Sequence, residues 1–138
     1  MAQRYVLDTN ILSDLLKSPA GKVAQKIAGL AIAERESLAT SIVVAAELRY
    51  GAAKSGSQIL AERIEQLLGA IEVLPLEPDA DGHYGIIRSQ LEKTGTVIGA
   101  NDLLIAAHVL AIDGILVTDN LREFKRVKGL RVENWLRA

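Results

Sequence analysis

The sequence predicts an α/β fold: one domain spanning residues 1–138, with a central, mainly parallel sheet covered by helices on both faces. Three observations lead there. Short apolar runs rich in β-branched residues alternate with longer stretches of helical periodicity, the pattern of strands linked by crossover helices. The apolar residues, 49% of the chain, are mainly Ala, Leu, Ile and Val, with one Trp, one Phe and three Tyr, which suits helices packed on a buried sheet. The length of 138 residues matches one core, and no linker, repeat or low-complexity segment divides it.

Arg4 to Asp8 reads as the first strand, because Tyr5-Val6-Leu7 is apolar and Asp8-Thr9-Asn10 favours an exit. A helix follows from Ile11 to Lys17, capped by Thr9 or Asn10 and stopped before Ser18-Pro19. Lys22 to Glu36 reads as one helix, Ser37 to Thr40 as a short strand, and Ile42 to Lys54 as a helix ended by Gly56-Ser57. Leu60, Ile64, Leu67 and Leu68 give Ile59 to Leu68 an amphipathic helical spacing. Ile71 to Leu74 is a strand closed by Pro75, and Asp79 to Lys93 is a helix ending in the Thr94-Gly95-Thr96 turn. A strongly apolar helix runs from Ala100 to Ile112 and stops at Asp113-Gly114. Ile115 to Thr118 and Leu130 to Glu133 are the last strands.

Right-handed crossovers place successive strand ends on one edge of such a sheet, where open α/β sheets bind ligands. Asp8 and the Thr118-Asp119-Asn120 segment both follow strands, so both reach that edge. Two further acids stand out. Glu47 sits among Val43, Val44, Tyr50 and Gly51 at helical spacing, an apolar stripe with no cation, and Asp102 opens the apolar helix. Taken singly, Asp8, Asp102 and Asp119 read as cap or turn residues, and Glu47 as half of an ion pair. A shared partner accounts for all four. Oxygen donors without cysteine, and with only two histidines, suit a hard cation such as Mg²⁺ or Mn²⁺. Such a site supports in-line phosphodiester hydrolysis, with one cation activating water and a second stabilising the leaving oxygen.

Composition removes other classes. Zero cysteines exclude disulfides, thiolate nucleophiles and thiolate-bound metals, and fit a cytosolic protein. A net charge of −1 gives no general field for phosphates, so nucleic-acid binding requires a local basic patch or bound cations. No apolar signal segment precedes the first strand. The longest apolar stretch, Leu103 to Ile112, is interrupted by His108 and too short for a bilayer, so no membrane partner is expected.

Five segments occur in an order that is itself informative. They are Tyr5-Val6-Leu7-Asp8-Thr9-Asn10-Ile11, then Ala46-Glu47-Leu48-Arg49-Tyr50-Gly51, then Gly99 through His108, then Val117-Thr118-Asp119-Asn120, then Glu123-Phe124 with Gly129 through Trp135. Over nearly the whole chain this resembles a PIN-domain ribonuclease of the VapC toxin type. The resemblance implies a PIN-like domain and an Mg²⁺- or Mn²⁺-dependent endoribonuclease that inhibits translation. It also implies neutralisation by a cognate VapB-type antitoxin and a homodimer or higher toxin–antitoxin assembly. The implied substrate is RNA, with tRNA preferred and the anticodon stem-loop of initiator tRNA as the specific expectation.

The resemblance carries over Asp8, Glu47 and Asp102 as metal-site acids, with Thr9, Asn10 and Thr118 in support. Many relatives have a further Asp two residues after the Thr that ends the strand. Here that position is Asn120, and Asp119 lies one residue earlier. Either Asp119 swings into the site, or Asn120 supplies a neutral oxygen or a water-mediated contact. Arg122, Lys125, Arg126, Lys128 and Arg131 read mostly as solvated surface, with RNA-backbone contact beside the acids as the functional alternative. His108, six residues after Asp102, belongs to a different helix face and reads as packed or hydrogen-bonded. His83 reads as surface, and Trp135 as packing for the C-terminus.

Two other classes share the acid pattern. A phosphatase that uses its first Asp as nucleophile requires a second acid two residues on, where this chain has Asn10. A receiver of phosphoryl groups requires paired acids at the first strand exit. A non-catalytic module would use the acids to hold a structural cation or a basic partner.

Overall fold

Three residues suffice for the central strand, because each is shielded by neighbours on both sides. In a computed structural model, which describes residues 3–137, β1 (Tyr5–Leu7) pairs in parallel with β2 (Leu38–Ser41) and with β4 (Ile115–Val117). β3 (Glu72–Leu74) adds to β2 and β5 (Arg131–Glu133) to β4, so the order is β3-β2-β1-β4-β5 and every pairing is parallel. Val6, Leu7, Ala39, Leu116 and Val117 in the middle strands are almost completely buried, while the edge strands carry Glu72, Arg131 and Glu133 outward.

The helices are α1 (Thr9–Lys17), α2 (Lys22–Ala28), α3 (Ile32–Glu36), α4 (Ile42–Ser55), α5 (Gln58–Ala70), α6 (Ala80–Lys93), α7 (Ala100–Ala111) and α8 (Leu121–Phe124). The chain steps from β1 to β2 to β3, then returns across the sheet to β4 and β5. With right-handed crossovers, α1–α5 cover one face and α6–α7 the other. The reversal of direction lies between β1 and β4, the kind of switch point at which open α/β sheets bind ligands. Asp8 and Thr118 are the residues that leave those two strands.

Local chemistry fixes where elements begin and end. α1 is capped by Asp8, whose carboxylate accepts the Thr9 N–H at 2.8 Å, and not by Thr9 or Asn10 as expected. Those two residues are already helical, so the strand passes directly into the helix. The stretch from Lys22 to Glu36 is two helices, not one. Gly29 ends α2, Leu30 turns inward to become buried, and Glu34 accepts the Ala31 N–H at 3.1 Å to start α3. α4 is capped by Ser41 and ended by Gly56 at φ +69°, a left-handed conformation that glycine adopts without a Cβ penalty. Gly114 is needed for space, since a Cβ there would sit 3.1 Å from the Arg4 carbonyl beside β1.

The apolar core joins both layers. Ile11 and Leu12 of α1, Val44 and Leu48 of α4, Ile105 and Val109 of α7, and Phe124 of α8 all close on the sheet. α7 is apolar almost all round because it lies between the sheet and α6, with Leu103, Ile105, Ala106, Ala107 and Val109 buried. Trp135 packs its ring 5.3 Å from that of Tyr5, which anchors the C-terminal segment as expected. Among the described residues no helix is long and apolar enough to cross a membrane. Truncation of the fully buried Ile105 to Ala is expected to destabilise the fold by about 2–5 kcal/mol, read as a lower urea midpoint with an unchanged m-value.

Candidate active site

Asp8 is 4% exposed, and burial of its carboxylate pushes the pKa up. Hydrogen bonds from the Thr118 hydroxyl to Oδ2 and the Thr9 N–H to Oδ1, both 2.8 Å, pull it back toward the charged form. The nearby charge of Glu47 pushes it up again. Thr118 has one hydroxyl proton and gives it to Asp8, while its oxygen accepts the Asn120 N–H at 3.0 Å. Asn10 spans the two strand exits: its Oδ1 accepts the Asp119 N–H at 3.0 Å, and its amide reaches the Thr118 hydroxyl at 3.3 Å.

Glu47 projects from α4 to the same edge. Its Oε1 accepts the Thr9 hydroxyl at 2.6 Å, and its Oε2 the Asn101 amide at 3.4 Å. It forms no ion pair among the described residues, so the Lys or Arg partner of the bland reading is not there. Asp102 lies in the first turn of α7, where free amides and the helix dipole favour a carboxylate. Burial and neighbouring charge outweigh that. Desolvation, then the charges of Asp8, Glu123 and Glu47, push its pKa to about 6.

The structure therefore brings Asp8, Glu47 and Asp102 together, and it adds Glu123. That residue lies on α8, and its Oε2 accepts the Asn120 amide at 3.1 Å. Asp119 does not swing into this group of acids. Asp119 turns its carboxylate to the C-terminal segment, where Oδ1 accepts from Arg137 Nε at 2.8 Å and Asn134 Nδ2 at 3.0 Å. Those bonds hold its pKa below the usual carboxylate value. Asn120 offers its amide N–H to Glu123 and orients that acid, so its side chain acts as a donor here. The signal was one helical turn, Asn120 to Glu123, legible only if residues 121–124 are read as helix.

His108 is buried and hydrogen-bonded, on a different face of α7 from Asp102. Ser41 Oγ accepts the Val43 N–H at 3.1 Å as the cap of α4 and lies 2.7 Å from His108 Nδ1. The serine hydroxyl donates to Nδ1 in the tautomer that carries its hydrogen on Nε2, and accepts from Nδ1–H in the other. Nε2 has no hydrogen bond of ordinary geometry, although the Pro75 carbonyl lies close enough to favour the charged form in part. Burial wins and lowers the pKa. The pair ties α7, which carries Asp102, to the start of α4, which carries Glu47. Of the basic tail, Arg131 pairs with Asp113, and Arg122, Lys125, Arg126 and Lys128 are exposed.

The donors that meet at this edge are oxygens only. Among the described residues no three acidic or histidine side chains converge closely enough to form a ready cage for one ion. The carboxylates are near enough to repel and open enough to admit water. The repulsion has a consequence for stability. Asp102 binds its proton more tightly in the folded chain, at about 6, than at its ordinary 3.8, so the folded state gains protons over that window. Stability therefore falls as pH rises from about 4 through 6. Replacement of Asp102 by Asn is expected to stabilise the metal-free protein at pH 8 by on the order of 1 kcal/mol, discounted for partial exposure. Melting curves at pH 8 and pH 4 check this, with the gain shrinking at the lower pH.

Known proteins resemble this chain along nearly its whole length. The PIN domain model matches residues 5–130. Ribonuclease VapC2 from Rickettsia felis is 36% identical over 132 residues, 95% of this chain and 97% of that protein. The tRNA(fMet)-specific endonuclease VapC from Shigella flexneri is 36% identical over 136 residues, 96% of this chain and 98% of that protein. The crystal structure of VapBC2 from Rickettsia felis bound to a DNA fragment from their promoter contains a chain that superposes with a TM-score of 0.82. It is 33% identical and covers 95% of this chain and 98% of its own length.

Proposed function

The chain belongs to the PIN-domain family, among the VapC ribonucleases, and from that premise we propose that it is the toxin of a toxin–antitoxin pair. In this reading it is an endoribonuclease that cuts RNA phosphodiester bonds with Mg²⁺ or Mn²⁺ and so blocks translation. The observation that carries the reading is the acidic edge, where Asp8, Glu47, Asp102 and Glu123 meet, and where burial first and the neighbouring charges second push Asp102 to about 6. A set of oxygen donors whose charges oppose one another fits a hard divalent cation. Asp8 and Asp102 would hold it, with Glu47 and Glu123 alongside.

A bound cation would supply the positive charge that activates the attacking water and offsets charge on the phosphate. The protein supplies orientation. Thr118 and Thr9 fix both oxygens of Asp8, Thr9 also fixes Glu47, and Asn120 fixes Glu123. Asn10 stands where a phosphatase that uses its first Asp as nucleophile needs a second acid, and it spends its amide on clamping the strands. That argues against the phosphatase alternative.

The substrate we favour is tRNA in the cytoplasm, in particular the anticodon stem-loop of initiator tRNA, supported by the tRNA(fMet) specificity in the name of the Shigella relative. For the VapB-type antitoxin we favour a groove of about 320 Å³ between α1, α4 and α5. Leu16, Leu48, Leu60 and Ile64 make it apolar, and Thr9 and Glu47 bring it to the acidic edge. A helix laid there could place an Arg against the carboxylates. Ile32 and Ile59, 74% and 70% exposed, offer apolar surface for a homodimer or larger assembly.

The test is cleavage of total tRNA with Mg²⁺ or Mn²⁺. Asp8→Asn is expected to lower kcat on the order of a hundredfold or more, and Glu123→Gln to lower it measurably. Asp119→Asn should stay within about threefold of wild type, because that carboxylate faces Arg137. Equal activity of wild type and Asp8→Asn sinks the assigned chemistry. A loss in Asp119→Asn as large as in Asp8→Asn returns the fourth acid to position 119.

A further inference from the structure

A pocket of four carboxylates repels a polyanion, so affinity for a long RNA has to come from cations beyond it. Between α2 and the C-terminal segment lies an open groove of about 630 Å³ whose walls include Lys22, Lys26, Trp135 and Arg137. Arg137 is paired with Asp119, so among the described residues the unpaired cations there are Lys22 and Lys26, and the groove's one carboxylate, Glu133, accepts the Trp135 indole N–H at 3.0 Å. Lys22 and Lys26 are four residues apart on α2, so they share a face, and both are exposed. Neither has an ion-pair partner among the described residues. The Lys26 ammonium lies 5.9 Å from the Trp135 ring centroid, which holds it on the wall without cancelling its charge. Trp135 is itself buried on Tyr5, so it makes a firm floor and offers no free face for stacking a base.

The groove is joined to the acidic edge by a chain of hydrogen bonds. Asn10 contacts Thr118, which holds Asp8; Asn10 also accepts the Asp119 N–H; and Asp119 accepts from Asn134 and Arg137, which line the groove. One end of the groove is thereby fixed relative to Asp8. We propose that this groove carries the phosphate backbone of the RNA flanking the cut bond, with Lys22 and Lys26 as contacts without sequence preference. The proposal rests on the endoribonuclease reading and adds where the substrate runs. Phosphate contacts of this kind position a nucleic acid, and base contacts elsewhere select it.

The test uses the full chain and labelled total tRNA as probe. Binding is measured by fluorescence anisotropy in the Asp8→Asn background, across a salt series with Mg²⁺ present. Lys22→Glu with Lys26→Glu is expected to weaken binding about tenfold and to reduce the slope of log K against log salt by about two. Lys22→Gln with Lys26→Gln should give a smaller loss in the same direction. A charge-matched control outside the groove, Lys54→Glu with Lys93→Glu, should stay within about twofold. Unchanged binding by the groove variants, or an equal loss in the control, overturns the groove. Wild-type cleavage of tRNA in the same assay leaves the endoribonuclease reading standing in that event. A wild-type protein that does not cleave tRNA overturns that reading, and the groove with it.

Discussion

Asp8 is a charged group almost wholly withdrawn from water at the point where the sheet changes direction, and much of the surrounding structure answers that cost. A buried carboxylate is tolerated only when its oxygens are satisfied. Here one oxygen takes the first free amide of α1, and the other takes the hydroxyl of Thr118 at the exit of the neighbouring strand. The same residue therefore starts a helix, ties β1 to β4, and presents charge at the sheet edge. Thr9 extends the arrangement to Glu47, and Asn10 extends it to Asp119. No isosteric valine could replace Thr118, because the bond needs a proton donor.

Around this anchor the fold assembles charges that oppose one another. α4 brings Glu47, α7 brings Asp102 and α8 brings Glu123, each from a different crossover, and the Ser41–His108 bond fixes the first two helices to each other. The edge is thus less stable at neutral pH than an uncharged one would be. Active sites commonly trade stability for such preorganisation. The cations that the pocket lacks occur next to it, on α2 and in the C-terminal segment, so a chain of slightly negative net charge still presents a basic path.

The architecture was legible because periodicity and strand-exit chemistry are strong local signals. The parallel sheet, the apolar helix α7 and the acids Asp8, Glu47 and Asp102 follow from residues read in order. The rest depended on features shorter than the patterns used to find them. Gly29 and an inward-turning Leu30 split a helix that composition alone makes continuous. α8 has four residues, too few for an amphipathic period, and without it Glu123 has no reason to join the acids. Asp119 was misplaced because its direction is decided by Arg137, a contact 18 residues away that no local pattern encodes. Its neighbour Asn120 directs its amide hydrogens to Glu123, a use that residue type alone does not reveal.

Relief of the acidic edge's mutual repulsion by a divalent cation held through Asp8 and Asp102 is what the proposed chemistry requires. Its most direct measurement is the melting temperature of the protein as Mg²⁺ or Mn²⁺ is added, with no RNA present. A ligand that binds only the folded state stabilises it by about 2.7 kcal/mol at a hundred times its Kd, a shift of several degrees for a chain of this size. That rise is expected in the wild-type protein and absent when Asp8→Asn and Asp102→Asn are combined. An equal rise in both proteins, or none in the wild type at millimolar cation, would contradict it.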